Sequence, residues 1–393
     1  MRRFKFNDLP KEMMLQILSR LPVEFVLISK LVCRQWRDLI RHPSFYQEYL
    51  DHLSSAAADD DSGKLGFIFF SYDQGMKIYY IEHDENSHET LFSGITRMNL
   101  NPPFNDWSCI GSQNGLICFD SRYMGMSNKH HSGPAYVCNP VTREYVVLLD
   151  TEGVYLWTGF GYSCETNEYK VVRSCFDSID PNVGTAQVYT LGSGGGWRNV
   201  AKINNMNRKH DRQHGVFANG ALHWENEHRE SILAFHLTEE KFSELPLPPA
   251  GVPYISIELG VLGGFLSATY YREDIGNEIW LLKKNKETCD FRWSKEFSFD
   301  SNMQKPLEFT KSRRLLCYKN TKVYSYDLKA SSAKVVSVDK FINQAIRHKN
   351  TLVSLRLLGE RDTKTMESCE RASSREETEN GGKLKKRRTI RNL

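Results

Sequence analysis

The chain has 393 residues, 40% hydrophobic and 12% aromatic, and 52 Lys and Arg against 48 Asp and Glu leave a formal net charge of +4. That length exceeds one compact domain and the apolar share supplies a sizeable core, so a small unit joined to a large one is expected. So mild a charge gives no reason to expect nucleic acid or an acidic membrane surface as principal partner.

Residues 1–53 read as helical. Pro10 suits the first turn of a helix, with Asn7 or Asp8 as its cap. Met13, Ile17 and Leu21 follow at four-residue steps, and Met14 and Leu18 widen the stripe. Pro22 closes that helix and opens a short second one holding Val26 and Leu27. Val32, Trp36 and Leu39, beside Cys33 and Ile40, repeat the helical spacing in a third. Three helices this short bury too little surface to be robust alone, yet they carry more than a dozen large apolar side chains. Apolar area left over by a small fold marks a protein interface. The competing explanation is that the helices dock on the rest of the chain. Residues 54–64, "SSAAADDDSGK", have the composition of a flexible acidic linker and favour separation instead.

Residues 65–358 are rich in strands. Short apolar runs alternate with Gly, Asn and Pro turns. "IGSQNGLICF", "GFGYSCETNEYKVV", "GVFANGALHW", "LGVLGGFLSA" and "EFTKSRRLLCY" begin at Ile110, Gly159, Gly215, Leu259 and Glu308, at intervals of 49, 56, 44 and 49 residues. A second strand pair follows each. About four strands every ~45–50 residues is the footprint of a β-propeller blade. A further blade assembles from "KLGFIFFSYDQGMKIYYIE" at the front and "NTLVSLRLL" at the back, closing the ring and covering its edges. The fold expected is therefore mostly β with a small α-helical head, a six-bladed propeller-like domain behind three helices. A β-sandwich is the alternative. Residues 359–393 contain few large apolar side chains, a composition that stays disordered.

Nine scattered cysteines form no C-x-x-C pair, no N-x-S/T site occurs, and "MRRFKFND" lacks the apolar stretch of a secretion signal. The chain reads as an intracellular, reduced and soluble protein, cytoplasmic or nuclear. Motifs for chemistry fall away one by one. "LGSGGGW" lacks the Lys-Ser/Thr of a phosphate loop and reads as a hairpin turn. His223, Glu225 and His228 lie on a strand with a five-residue gap between the two His, not on a helix at the spacing of a zinc site. No G-x-S-x-G elbow is present. No catalytic residue, metal or cofactor is assigned. Lys383, Lys385, Lys386, Arg387 and Arg388 form either a nuclear import signal or a solvated counterweight to the acidic "REETE".

"LPKEMMLQILSRLP" followed by "KLVCRQWRDLI" resembles an F-box, and "HPSFYQEYL" resembles the segment trailing plant F-boxes. "GLICF", "NPVTREYVVL", "GFGYSCETNEYKVV", "GVFANGALHW", "ILAFHLTEEKFSELPLP" and "LGVLGGFLSA" resemble, in order, motifs of the F-box-associated domain of plant F-box/kelch-like proteins. The resemblance implies a substrate receptor of a Skp-cullin-F-box ubiquitin ligase, itself non-catalytic. It would bind a Skp-type adaptor, through it a cullin scaffold, and an unknown target protein. Leu9, Pro10, Ile17, Leu18, Leu21, Pro22, Leu27, Val32, Cys33 and Trp36 match the family's apolar pattern, some as supports and not contacts. Departures fall at Glu24, Phe25 and Ile28, where relatives carry a basic residue, Ser and Arg; an acidic adaptor would feel that loss of positive charge. Residues 120–134 and 204–214 are the expected target loops, the second basic enough to suit an acidic or phosphorylated partner. The rivals are a non-ligase scaffold with a decayed head, a propeller enzyme, and a nuclear nucleic-acid-binding factor.

Overall fold

The computed structural model describes residues 9–366, apart from residues 43, 47, 50–63, 73–74, 86–91, 93, 101, 105, 125–129, 149–154, 177–182, 205–212, 227–230, 250–253, 255, 273–275, 286–289, 300–303, 328–331 and 339. Asn7, Asp8, the basic cluster at 383–388 and nearly all of the expected linker lie outside the described residues. Among the described residues no helix is long and apolar enough to cross a membrane.

Three helices open the chain, α1 (Lys11–Ser19), α2 (Val23–Val32) and α3 (Arg34–Arg41). Pro10 and Pro22 stand just before α1 and α2, where their carbonyls accept the first helical bonds, from Met14 N at 3.1 Å and Val26 N at 3.1 Å. Cys33 starts α3, its sulfur accepting from Trp36 N at 3.5 Å.

The strands follow as antiparallel meanders. The first holds β1 (Lys64–Ser71), β2 (Lys77–Asp84) and β3 (Thr96–Met98). The second holds β4 (Trp107–Gln113), β5 (Leu116–Met124), β6 (His130–Asn139) and β7 (Glu144–Leu148). The third holds β8 (Tyr155–Ser163), β9 (Glu168–Phe176), β10 (Val183–Thr190) and β11 (Trp197–Asn204). The fourth comprises β12 (Gln213–Ala218), β13 (Ala221–Asn226), β14 (Ser231–His236) and β15 (Lys241–Pro246). The fifth comprises β16 (Ser256–Leu262), β17 (Phe265–Tyr271), β18 (Asn277–Lys284) and β19 (Phe291–Phe299). The sixth comprises β20 (Lys305–Phe309), β21 (Arg314–Lys319), β22 (Lys322–Asp327) and β23 (Ser332–Ser337). A late strand, β24 (Gln344–Arg347), pairs with β1 and completes the first meander, and β25 (Lys364–Thr365) pairs with β7.

The inner strands neighbour one another in the cyclic order β24, β4, β8, β12, β16, β20 and back to β24, the arrangement of a propeller. Separate hydrogen-bonded sheets number four among the described residues, not the six expected as separate blades. The second, third and fourth meanders merge into one sheet. Tyr155 bridges Ser132, and β8 runs parallel to β12 over Trp157–Gly159 and Gln213–Gly215. Gly159 and Gly215 in this pairing leave room for β13 side chains, since a Cβ would meet Leu222 at 2.8 Å on the first and Trp224 at 2.6 Å on the second.

Closure of the ring differs in detail from the sequence reading. The closing strand is "QAIR", Gln344 to Arg347, and not "NTLVSLRLL". The latter has no strand pairing; its Leu352, Val353 and Leu355 are buried against the head and the second and third meanders. Ordered structure also runs past Leu358, through buried Glu360 and Met366, so the boundary expected at residue 359 is too early. The sequence hides this because 359–366 is polar and anchored by hydrogen bonds, not by an apolar pattern.

The head is docked. Met14, Leu15, Leu18, Val26, Leu39, Phe45 and Tyr49 share a buried cluster with Leu352, and Val141 of the β6–β7 turn packs against it. Burial pushes the Tyr49 phenol up to about 12. The linker composition had pointed to separation; composition says nothing about contacts made by a segment three hundred residues away.

Four of the free thiols behave as core residues. Cys109, Cys118, Cys138 and Cys317 are buried, and burial pushes each thiol above its ordinary range.

One buried carboxylate locks the closed ring. Glu308 on β20 is 1% exposed at its side chain and accepts from Gly263 N (2.6 Å), Phe309 N (2.8 Å) and Arg347 Nη1 (2.7 Å). It thereby ties the fifth meander, the sixth and the closing strand together. Glu308→Ala removes the acceptor of the part-buried Gly263 and Phe309 N–H groups and the partner of Arg347, and should lower unfolding free energy by about 2 kcal/mol, whereas Arg347→Ala, at a half-exposed partner, should cost about 1 kcal/mol or less. Urea midpoints of the two variants measure this; equal losses would sink the latch.

Candidate functional site: an exposed helical face and two propeller rims

The head has two sides. Leu18, 1% exposed, sits in the head core, and Leu21 and Trp36 are partly buried against it. Cys33 and Leu9 are also partly buried, and Pro10 and Pro22 are exposed at the helix starts. Of the residues expected to contact an adaptor, Ile17, Leu27 and Val32 do present open apolar surface. Leu18, Leu21 and Trp36 hold the helices together instead.

Four more residues present open apolar surface outside the set expected to meet the adaptor: Met13 of the α1 stripe, the departures Phe25 and Ile28, and Leu31. Leu31 is 77% exposed, and Phe25 and Ile28 are each 58% exposed. Most of this surface lies on α2, whose buried side holds Val23, Val26 and Ser29. In "VEFVLISKLV" nearly every position is apolar, so periodicity cannot tell the inner side from the outer. Glu24 is exposed beside Phe25. At the other end of α2, burial and the Arg41 charge pull the Lys30 ammonium below its ordinary value. The face is thus mainly apolar, with the acidic Glu24 in it.

Successive antiparallel strands send their turns alternately to two rims. The β4–β5 turn at 114–115, the β6–β7 turn at 140–143 and the β10–β11 turn at 191–196 lie on the rim that meets the head and residues 351–360, through Asn114 with Thr351 (2.6 Å), Asn139 with Val353 (2.7 Å) and Gly192 with Glu360 (2.9 Å). The β5–β6 tip and the β11–β12 connection therefore leave from the opposite rim. The strand ends that flank both expected target stretches, Met124 and His130, then Asn204 and Gln213, lie there. The first is not one long loop: Asp120 to Met124 finish β5 and His130 opens β6. Its tip at 125–129, and 205–212 of the second stretch, lie outside the described residues.

A Ser, a His and an Asp do meet near this rim. Ser108 Oγ donates to Asp120 Oδ1 at 3.0 Å and stands 3.2 Å from His214 Nε2, which is itself 3.5 Å from Asp120 Oδ1. Thr158 Oγ1 donates to Asp120 Oδ2 at 3.2 Å. A proton relay needs the carboxylate on one imidazole nitrogen and the hydroxyl on the other. Here Nε2 faces both, and Ser108 is buried. The cluster stitches three meanders through the inner strands β4, β8 and β12. Among the described residues no group of three or more His, Cys, Asp or Glu is placed to hold a metal. His223 is buried on β13, its Nδ1 donating to the Val216 carbonyl at 3.2 Å, and His228 lies outside the described residues.

The architecture is a propeller carrying a three-helix head with an outward apolar surface. The sequence matches the family profile described as "F-box associated beta propeller domain" over residues 64–356, and an "F-box-like" profile over residues 6–51. The chain belongs to the F-box associated β-propeller family. Similar proteins from Arabidopsis thaliana include F-box/kelch-repeat protein At3g23880, 26% identical over 75% of this chain and 80% of its own length. F-box protein At3g07870 is 26% identical over 84% and 80%, and F-box protein CPR1 is 23% identical over 84% of each. Among solved structures, TolB from Acinetobacter baumannii superposes with a TM-score of 0.46 at 9% identity, over 78% of this chain and 72% of that one.

The buried histidines give the chain an acid limit. Burial lowers His223 and His348 from the ordinary 6.5 to about 4. Each is neutral when folded and takes up a proton more readily when unfolded. Stability is therefore full above pH 6.5 and falls as pH drops toward 4. His223→Gln should make that fall in urea midpoint shallower; parallel curves for variant and wild type would exclude His223 as a contributor.

Proposed function

We propose that this chain is the substrate-recognition subunit of a Skp-cullin-F-box ubiquitin ligase. Supporting this reading above all is the exposed apolar surface of α1 and α2, Met13, Ile17, Phe25, Leu27, Ile28, Leu31 and Val32, on a head that is otherwise well packed. Side chains of this size left in water are what a partner covers. A Skp-type adaptor docks there and a cullin scaffold carries the conjugating machinery. The chain itself makes and breaks no bond. It holds a target protein so that a target lysine is presented at high effective concentration.

The target is gripped at the rim opposite the head. That choice rests on strand direction: one rim is occupied by the head and the C-terminal segment, and the other keeps the long connections. With Phe25 and Ile28 where relatives carry polar or basic residues, adaptor binding leans on apolar burial and changes little with salt.

Purified chain and a panel of Skp-type adaptors provide the test. Ile28→Asp with Leu31→Asp should weaken binding by at least ~30-fold, on the order of 2 kcal/mol, without moving the melting temperature, because both side chains are exposed in the free chain. Leu18→Asp should instead unfold the head. Failure of the wild-type chain to bind any adaptor would leave the second reading, a scaffold with a decayed head.

A further inference from the structure

Residues 351–366 follow the closing strand, and outside β25 they join no strand, yet Thr351 to Leu355 are buried throughout. Successive residues face opposite ways. Leu352 enters the head core with Met14, Leu18, Phe45 and Tyr49, while fully buried Val353 and Leu355 enter the core between the second and third meanders. Backbone and side chains repeat the pattern. Asn139, wholly buried, donates its amide to the Thr351 and Val353 carbonyls at 3.1 and 2.7 Å. Tyr46, just after α3, donates its hydroxyl to the Ser354 carbonyl at 3.4 Å and accepts from Ser354 N at 3.3 Å. Ser354 Oγ donates to Glu144 Oε2 at 2.8 Å.

Farther on, Glu360 accepts from Tyr189 Oη and Gly192 N, both at 2.9 Å. The strap passes so close to Gly192 that a Cβ there would sit 1.9 Å from the Leu358 carbonyl oxygen, and Gly192 already has φ +78°. β25 on β7 and Met366 N bonded to the Arg143 carbonyl at 3.0 Å finish the run. One short segment therefore grips the head with one side and two meanders with the other.

We propose that this strap is the positioning element of the receptor, with Leu352 and Tyr46 as its positioning residues, holding the adaptor-binding helices at one orientation to the propeller. Chain connectivity cannot do this, since an unrestrained connection of about ten residues has a reach on the order of 15–20 Å. The strap replaces that freedom with a packed and hydrogen-bonded joint. Its consequence for ubiquitin transfer rests on the receptor reading above: a lysine on a bound target is then offered at a set distance and angle, and effective concentration rises with that restriction. The head thus has a division of labour. Its outer face takes the adaptor, and its inner face takes the strap.

Electron spin–spin distances in the full-length chain test this. Labels carried on non-natural residues at Asp38 in α3 and Lys241 in β15, both exposed, report head against body. The wild-type chain should give a single narrow distance distribution. Leu352→Asp with Tyr46→Ala should widen it at least twofold, and Leu352→Ile should keep the wild-type width. Adaptor binding by a widened variant whose helical circular dichroism matches wild type should stay within about twofold of wild type, because the outer face is untouched. A broad wild-type distribution, or an unchanged width in the double variant, overturns the proposal. If the double variant unfolds the head, Tyr46→Phe with Ser354→Ala is measured in its place and must also widen the distribution. Lack of adaptor binding by wild type would sink the receptor reading while leaving the distance result standing.

Discussion

Everything in this chain depends on closing a ring of antiparallel meanders with its own C-terminal end. Without the closing strand the backbone of β1, the first edge of the ring, would be left unpaired along one side, an edge that invites pairing with other chains. β24 covers the first edge by pairing with Phe67 to Phe70, and the buried Glu308 carboxylate bonds the closing strand's Arg347 to the fifth and sixth meanders. A latch made of one charged acceptor and three donors is directional, so it fixes register where apolar packing alone tolerates slippage.

From closure follows polarity. Once every meander runs from the inside outward with alternating direction, all its turns are assigned to one rim or the other. The rim with the tight turns near Asn114, Asn139 and Gly192 receives the strap and the head. The other carries the longer connections. The separation of adaptor and target that the proposed function requires is thus a consequence of strand direction and not of a special device.

The helical head shows how a fold too small to stand alone is stabilised without losing its interface. Its inner side is completed by Leu352, Val141 and the Tyr46–Ser354 bonds, and its outer side keeps Leu31, Phe25 and Ile28 in water. Had the spare apolar surface all been used for docking, nothing would remain for a partner. Had none been used, about forty residues would bury too little to hold their shape.

The residues themselves determined a great deal: three short helices from Pro10, Pro22 and the four-residue apolar steps, meanders from strands repeating every ~45–50 residues, and the family from motif order. These are local signals, set by backbone geometry and periodic burial, and they survive without knowledge of neighbours. Only the tertiary structure decided which strand closes the ring, that the head is docked, and that the chain stays ordered to Met366. It also decided which apolar residues of α2 face outward, because in "VEFVLISKLV" the pattern is saturated and the inner side is chosen by what packs against it. Ser108, Asp120, Thr158 and His214 come from four strands, and Tyr46 meets Ser354 across 308 positions of sequence. Contacts of that separation leave no local trace, since each residue alone looks like an ordinary polar position on a strand or turn.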